Sequence, residues 1–178
     1  MIVNIPFRFN RLPIISIKNF FDISIHKKKL SNEILGQMLD GGRQFPIRSN
    51  KIVKSIYNKF LKYCEDRFGK LDIIQEPKVW SLCTNKDNWK SVVHNHLKTS
   101  TINSVYYLNI PQINYKNIGS IKFLHNEKWY SYLPSNNELL IFPNYLIHDT
   151  EYNNTDDFRI SINMEILCNN EINWNLND

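Results

Sequence analysis

SVVHNHLKTSTINSVYYL, residues 91–108, sets the frame for the whole chain. Its first six residues put His94 and His96 at i and i+2, and Ser104–Leu108 reads as a strand rich in β-branched and aromatic residues. In an extended segment, side chains two apart project from the same face, roughly 7 Å from each other. Two imidazoles held that way can converge on one metal ion, and neutral imidazole is the commonest metal-binding side chain. A third from a neighbouring strand would close the triangle. His148 can supply it, at the end of Glu138–His148 (ELLIFPNYLIH), where an apolar strand meets Pro143 and then delivers a polar residue. Spacing alone leaves two plainer readings open: a metal-free pair of strand histidines, and a loop position for His148.

Outward from this stretch, short strands alternate with turns. Val79–Thr84, Ser91–His96, Ser104–Ile110, Gly119–Leu124, Tyr130–Leu133, Glu138–Phe142 and Phe158–Leu167 are the expected strands. Pro111, Asn117-Ile118-Gly119, Asn126-Glu127, Pro134–Asn137 and Pro143-Asn144 separate them. Such regular spacing argues for a sandwich or barrel. Upstream, Ile2–Phe9 and Ile14–Phe21 are β-like. Leu30–Leu39 reads as a helix capped by Ser31 or Asn32, with Glu33 in its first turn, stopping at Asp40-Gly41-Gly42. The clearest helix follows: Ser49 or Asn50 caps an apolar stripe of Ile52, Val53, Ile56, Tyr57, Phe60, Leu61, Cys64 and Phe68 that ends at Gly69. It should pack against the outside of a sheet. The chain is expected to be a single domain over 1–178. Residues 1–78 would form N-terminal strands and supporting helices, 79–167 the core and 168–178 a polar tail anchored by Ile172, Trp174 and Leu176.

Composition agrees with a mainly β protein. Among 178 residues there is no alanine, the best helix former, while Ile, Tyr, Phe and Asn abound, a skew that AT-rich coding would also produce. The net charge of +5 would suit an acidic partner, but the cations are scattered and only Lys27-Lys28-Lys29 forms a run, so a solvated face is the simpler meaning. Three cysteines, Cys64, Cys83 and Cys168, with no C-x-x-C spacing, argue against a disulfide framework or zinc knuckle and read as reduced thiols of a cytoplasmic protein. Arg8 and Arg11 interrupt the N-terminal apolar segment, so no signal peptide is expected, and no apolar run is long enough for a bilayer. His26 and His125 read as a solvated and a loop histidine. Trp80, Trp89, Trp129 and Tyr130 read as core or rim residues that could also line a cleft.

Phe158–Ile166 (FRISINMEI) alternates strictly, with Arg159, Ser161, Asn163 and Glu165 on one face and Ile160, Ile162, Met164 and Ile166 on the other. If the first face lies inside a barrel, Arg159 implies a bound anion or an acidic neighbour, because a buried unpaired guanidinium is costly. Its planar fork suits a carboxylate. With these pieces in place, Val79–Ile166 resembles the 2-oxoglutarate/Fe(II)-dependent oxygenase superfamily, particularly a branch common in phages and marine bacteria. The matching motifs are HNH (94–96), SVYYL (104–108), GSIKF (119–123), LLIFPNYLIH (139–148) and RISINM (159–164).

The resemblance implies a double-stranded β-helix, a cupin-like jelly roll, with one or two N-terminal helices outside the sheet. It makes His94 and His148 ligands of Fe(II), and puts His96 where the wider superfamily carries Asp or Glu, leaving the site one unit more positive. It gives Arg159 and Ser161 the distal carboxylate of 2-oxoglutarate, with Tyr107 as a further donor. The implied reaction consumes 2-oxoglutarate and O2 and hydroxylates a substrate that could be a small molecule, a protein side chain or a nucleic acid. The other readings are a three-histidine cupin-type metalloenzyme without a keto acid, and a non-catalytic jelly-roll binding module. Asp149 is a remote candidate for the missing carboxylate, since it should face away from His148.

Overall fold

The strict alternation of FRISINMEI becomes the central strand of a six-stranded antiparallel sheet in a computed structural model that describes residues 12–39, 43–111 and 118–175. The order across this sheet is β1 (Ile15–Ile17), β7 (Glu138–Pro143), β4 (Ile102–Asn109), β9 (Arg159–Ile166), β3 (Lys78–Thr84) and β2 (Gln44–Pro46). A second, three-stranded antiparallel sheet runs β6 (Lys128–Tyr132), β5 (Ile121–His125), β8 (Ile147–Thr150). The fold is a jelly roll with the helices on one side. The expected strand Ile2–Phe9 lies outside the described residues.

Both faces of the larger sheet are covered, which is why β7 reads as an apolar run (LLIF); β9 alternates because its inner face carries Arg159, Asn163 and Glu165 to the cavity. Ile160, Ile162, Met164 and Ile166 of β9 join Ile102, Tyr106 and Leu108 of β4 and Leu139 and Ile141 of β7 on the outer face. There they meet α1 (Lys27–Leu39) through Leu30 and Ile34, and α2 (Lys51–Phe68) through Val53, Ile56, Phe60 and Cys64. Alternate residues, Val105, Tyr107, Leu140 and Phe142, face inward and pack with Ile121 and Phe123 of the smaller sheet. Fully burying one such aliphatic or aromatic side chain contributes about 1.5–3 kcal/mol. Cys64, Cys83 and Cys168 are free and buried, as the sequence suggests. In the tail, Ile172 and Trp174 pack on the outer core, the latter against Phe68.

The α2 start matches its cap signal: Asn50 Oδ1 accepts from the backbone N–H groups of Ile52 (2.9 Å) and Val53 (3.2 Å). Asn50→Ala should therefore lower the free energy of unfolding by about 1 kcal/mol in a denaturant titration, with Asn50→Asp retaining most of it. The first helix departs from expectation. It begins at Lys27 rather than after Ser31 or Asn32, because Ile23 is buried and its carbonyl accepts from the N–H of both His26 (2.8 Å) and Lys27 (2.7 Å). Glu33 serves α2 instead, accepting from Asn50 Nδ2 at 2.8 Å.

Three further corrections concern strands. Ile14–Phe21 shrinks to Ile15–Ile17, while β2 and β8 are additional. The expected strand Ser91–His96 runs beside β8, where a fourth strand of the smaller sheet would lie, but makes only one isolated bridge, His94 to His148. Its other backbone groups pair outside any strand ladder: Val92 N–H donates to Asp149 Oδ1, and His96 N–H to the Asn144 carbonyl. The turn expected at Asn126-Glu127 is present, both residues having positive φ (47° and 62°), the geometry that matches a two-residue hairpin loop to strand twist. Among the described residues, no helix is long and apolar enough to cross a membrane.

Candidate metal centre

His94 and His148 reach the site already locked together. Their backbones exchange two hydrogen bonds, His94 N–H to the His148 carbonyl (3.2 Å) and His148 N–H to the His94 carbonyl (3.0 Å). His96 is fixed two residues on by its N–H to the Asn144 carbonyl (2.8 Å). Asp149 holds the start of the segment: it accepts from Ser91 Oγ, from Val92 N–H at 2.9 Å and from Thr150 N–H at 2.8 Å, with Lys122 Nζ at 3.5 Å. Burial alone would raise the Asp149 pKa, but these hydrogen bonds and Lys122 outweigh it and hold the carboxyl below the usual range. Asp149 is thus a clamp on the histidine segment, and it stands outside the ligand cluster.

The three imidazoles converge. One ligand atom from each of His94, His96 and His148 lies within 4.8 Å of the others. Ring centroids are 4.8 Å apart for 94–96, 4.4 Å for 94–148 and 5.1 Å for 96–148. Each ring also has an acceptor at Nδ1: the Val92 carbonyl at 2.6 Å for His94, the Leu146 carbonyl at 3.0 Å for His148, and Glu165 Oε1 at 2.6 Å for His96. Acceptors at all three Nδ1 atoms assign the proton there and leave each Nε2 lone pair for a metal. Burial, with the two other imidazoles adding to it, pushes the His148 pKa down to about 3, so that ring is neutral when a metal arrives. His26 is exposed and His125 ends β5; neither joins the cluster.

The cluster opens on a cavity of about 300 Å³ between the two sheets. Trp80, Leu82, Val105, Ile121 and Phe142 give it apolar walls, and Arg43 and the exposed Lys90 stand at its rim. Trp80 lies 6.5 Å from the His96 ring, centroid to centroid. Trp89 packs instead on Tyr152, and Trp129 lies under the Lys122 ammonium.

Arg159 reaches the same cavity and is only 1% exposed. Its Nε donates to the Gly119 carbonyl (3.1 Å) and its Nη1 to Ser161 Oγ (3.2 Å), and no carboxylate pairs with it among the described residues. Among the described residues the rest of its five-donor fork faces only the Tyr107 hydroxyl. Tyr107 lies under the guanidinium, 5.1 Å from ring centroid to Cζ, with its hydroxyl lacking a hydrogen-bond partner. Burial pushes that phenol's pKa up, so it remains a proton donor. Thr84, paired directly with Arg159 across β3 and β9, also has a buried hydroxyl without a partner. A buried cation beside two buried hydroxyl groups has the charge and the donors to take an anion.

All six residues expected from the sequence are therefore brought into one region. Thr84, the Asp149 clamp and the contact between Glu165 and His96 were not expected. Alternation in β9 puts Glu165 on the face of Arg159, but no local pattern says that His96 crosses it.

Residues 78–165 match the family described as "Putative 2OG-Fe(II) oxygenase". No curated protein matches the chain. Among solved structures, a prolyl hydroxylase from Trichoplax adhaerens, in complex with a hypoxia inducible factor oxygen degradation domain peptide fragment, superposes with a TM-score of 0.69 at 18% identity, covering 90% of this chain and 86% of that one. The viral collagen prolyl hydroxylase of Paramecium Bursaria Chlorella virus-1 gives 0.66 at 14% identity, with 96% and 97% covered. HygX from Streptomyces hygroscopicus, with nickel and 2-oxoglutarate bound, gives 0.64 at 13% identity, with 90% and 84% covered.

Proposed function

We propose that this chain, whose residues 78–165 match a 2-oxoglutarate/Fe(II) oxygenase family, is a 2-oxoglutarate-dependent dioxygenase, a hydroxylase, working at the three-histidine cluster. His94, His96 and His148 would hold Fe(II), and Arg159 with Ser161 and Tyr107 would take the far carboxylate of 2-oxoglutarate. The observation that carries this reading is Arg159 itself: a fully buried guanidinium, without an acidic partner among the described residues, on the same cavity as three convergent imidazoles. Three imidazoles alone would also suit a cupin-type metalloenzyme that uses no keto acid. The Arg159 fork, facing no carboxylate among the described residues, favours the keto acid.

Iron, when bound, supplies the coupled decarboxylation of 2-oxoglutarate and activation of O2. The protein's share is geometric and electrostatic. The His94–His148 backbone pair fixes two donors relative to each other. The three Nδ1 acceptors set ring orientation and tautomer. Arg159, held by Gly119 and Ser161, gives a carboxylate two parallel donors and so sets the cosubstrate's direction. Leu82, Val105, Ile121 and Phe142 keep the space between them poor in water. The peptide in the Trichoplax enzyme makes peptide side chains the first substrate class to screen.

Purified protein given Fe(II), 2-oxoglutarate and air should release succinate slowly even without a substrate, and should stop when Fe(II) or O2 is withheld. Metal-dependent O2 uptake without succinate would favour the cupin-type reading. No stoichiometric metal and no turnover would leave a jelly-roll binding module.

A further inference from the structure

Three neutral imidazoles leave the full charge of a divalent ion on the site, yet a carboxylate is within reach of one of them. Glu165 Oε1 lies 2.6 Å from His96 Nδ1, and the two side chains are only 5% and 12% exposed. Apart from His96, Glu165 makes one loose ion pair, with the partly exposed Lys78. Its Oε2 is buried without a hydrogen-bond partner, and its nearest cation, Lys78 Nζ, is 3.8 Å away. The other two imidazoles give their Nδ1–H to neutral backbone carbonyls, so His96 alone has a charged partner. A carboxylate on the far nitrogen makes an imidazole a stronger donor by drawing its N–H proton outward and raising electron density at the free nitrogen.

We propose that Glu165 is the charge-compensating and positioning residue of this metal centre, returning through the His96 ring the negative charge that a directly bound carboxylate would supply. The inference rests on the metal reading of the histidine cluster. Glu165 does not touch the ion. It sets the ring of His96 by hydrogen bond and its donor strength by charge, and so makes a three-imidazole site resemble electrically one of two imidazoles and a carboxylate.

Two variants separate orientation from charge. Glu165→Gln keeps an oxygen for the His96 N–H and removes the charge, while Glu165→Ala removes both. The probe is Co(II), titrated into metal-free protein and followed by its visible ligand-field absorption, with thermal unfolding of the metal-free proteins alongside. Wild-type protein should bind one Co(II). Glu165→Gln should bind it about tenfold more weakly and Glu165→Ala up to about a hundredfold, the range for outer partners of metal-bound histidines. Saturated with Co(II), the Gln variant should hold 2-oxoglutarate at least as tightly as wild type, since a more positive ion attracts the dianion more strongly.

Equal Co(II) affinities in all three proteins would overturn the inference and leave the metal site standing. A loss confined to the Ala variant would reduce Glu165 to an orienting hydrogen bond and defeat the charge claim. Parallel losses of Co(II) and 2-oxoglutarate in the Gln variant, with a lowered unfolding temperature, would mark a structural role and also count against it. Failure of wild-type protein to bind Co(II) would instead sink the metal reading.

Discussion

Arg159→Ala should abolish measurable 2-oxoglutarate binding and leave metal binding at the three histidines unchanged. A charge-assisted hydrogen bond contributes about 1.5–3 kcal/mol, so losing a two-bond fork amounts to roughly 3–6 kcal/mol, a fall in affinity on the order of a hundredfold to ten-thousandfold. Metal binding should survive because Arg159 is not one of the cluster residues. Arg159→Lys is not a conservative rescue: a single ammonium cannot give two parallel donors, and its shorter reach would also lose the Gly119 carbonyl that holds the guanidinium. Arg159→Met is the control for folding. The guanidinium is 1% exposed with no acidic partner among the described residues, so an apolar side chain of similar length should leave the unfolding temperature close to wild type or raise it. Isothermal titration of the metal-loaded proteins with 2-oxoglutarate reads the affinity directly. Persistence of wild-type affinity in Arg159→Ala would remove the anion pocket from the account.

His148→Ala should cost the protein its metal, with affinity falling by more than about a hundredfold, beyond the range for partners that act through another ligand. The backbone bridge to His94 does not depend on the imidazole, so the β8 pairing should survive. The ring does pack 4.9 Å from Phe142, centroid to centroid, and its removal will loosen that wall. His94→Ala is the cleaner companion, because His94 is exposed and fills no core space. The two variants should lose Co(II) and succinate release together. Retention of tight binding by both would mean that the imidazoles are gathered for some other purpose.

Much of this was readable in the chain because the signals were local. The period of two in residues 158–166 placed Arg159 and Glu165 on one face, and the structure keeps them there. Asn50 and the stripe behind it fixed α2, since cap and amphipathic face lie within a few turns of each other. The i, i+2 histidines and His148 converge as expected, although the segment that carries the pair is not a regular strand. What stayed hidden depends on register between distant residues. Glu165 meets His96 only after the two sheets close, and Asp149 meets Ser91 and Val92 only once the histidine segment lies against β8. Strands of three or four residues, such as β2 and β8, are too short to display a period. The early start of α1 has a similar cause: a buried isoleucine fixes it, not a polar cap.

The central claim is that one cavity holds a ferrous ion on three imidazoles and a 2-oxoglutarate anchored by Arg159. Adding 2-oxoglutarate to the Fe(II)-loaded protein without oxygen, and recording the visible spectrum, tests it in one step. A weak charge-transfer band should grow to saturation at one equivalent of iron, be absent with either component alone, and vanish in Arg159→Ala. Iron bound at one equivalent with no such band at saturating 2-oxoglutarate would contradict it.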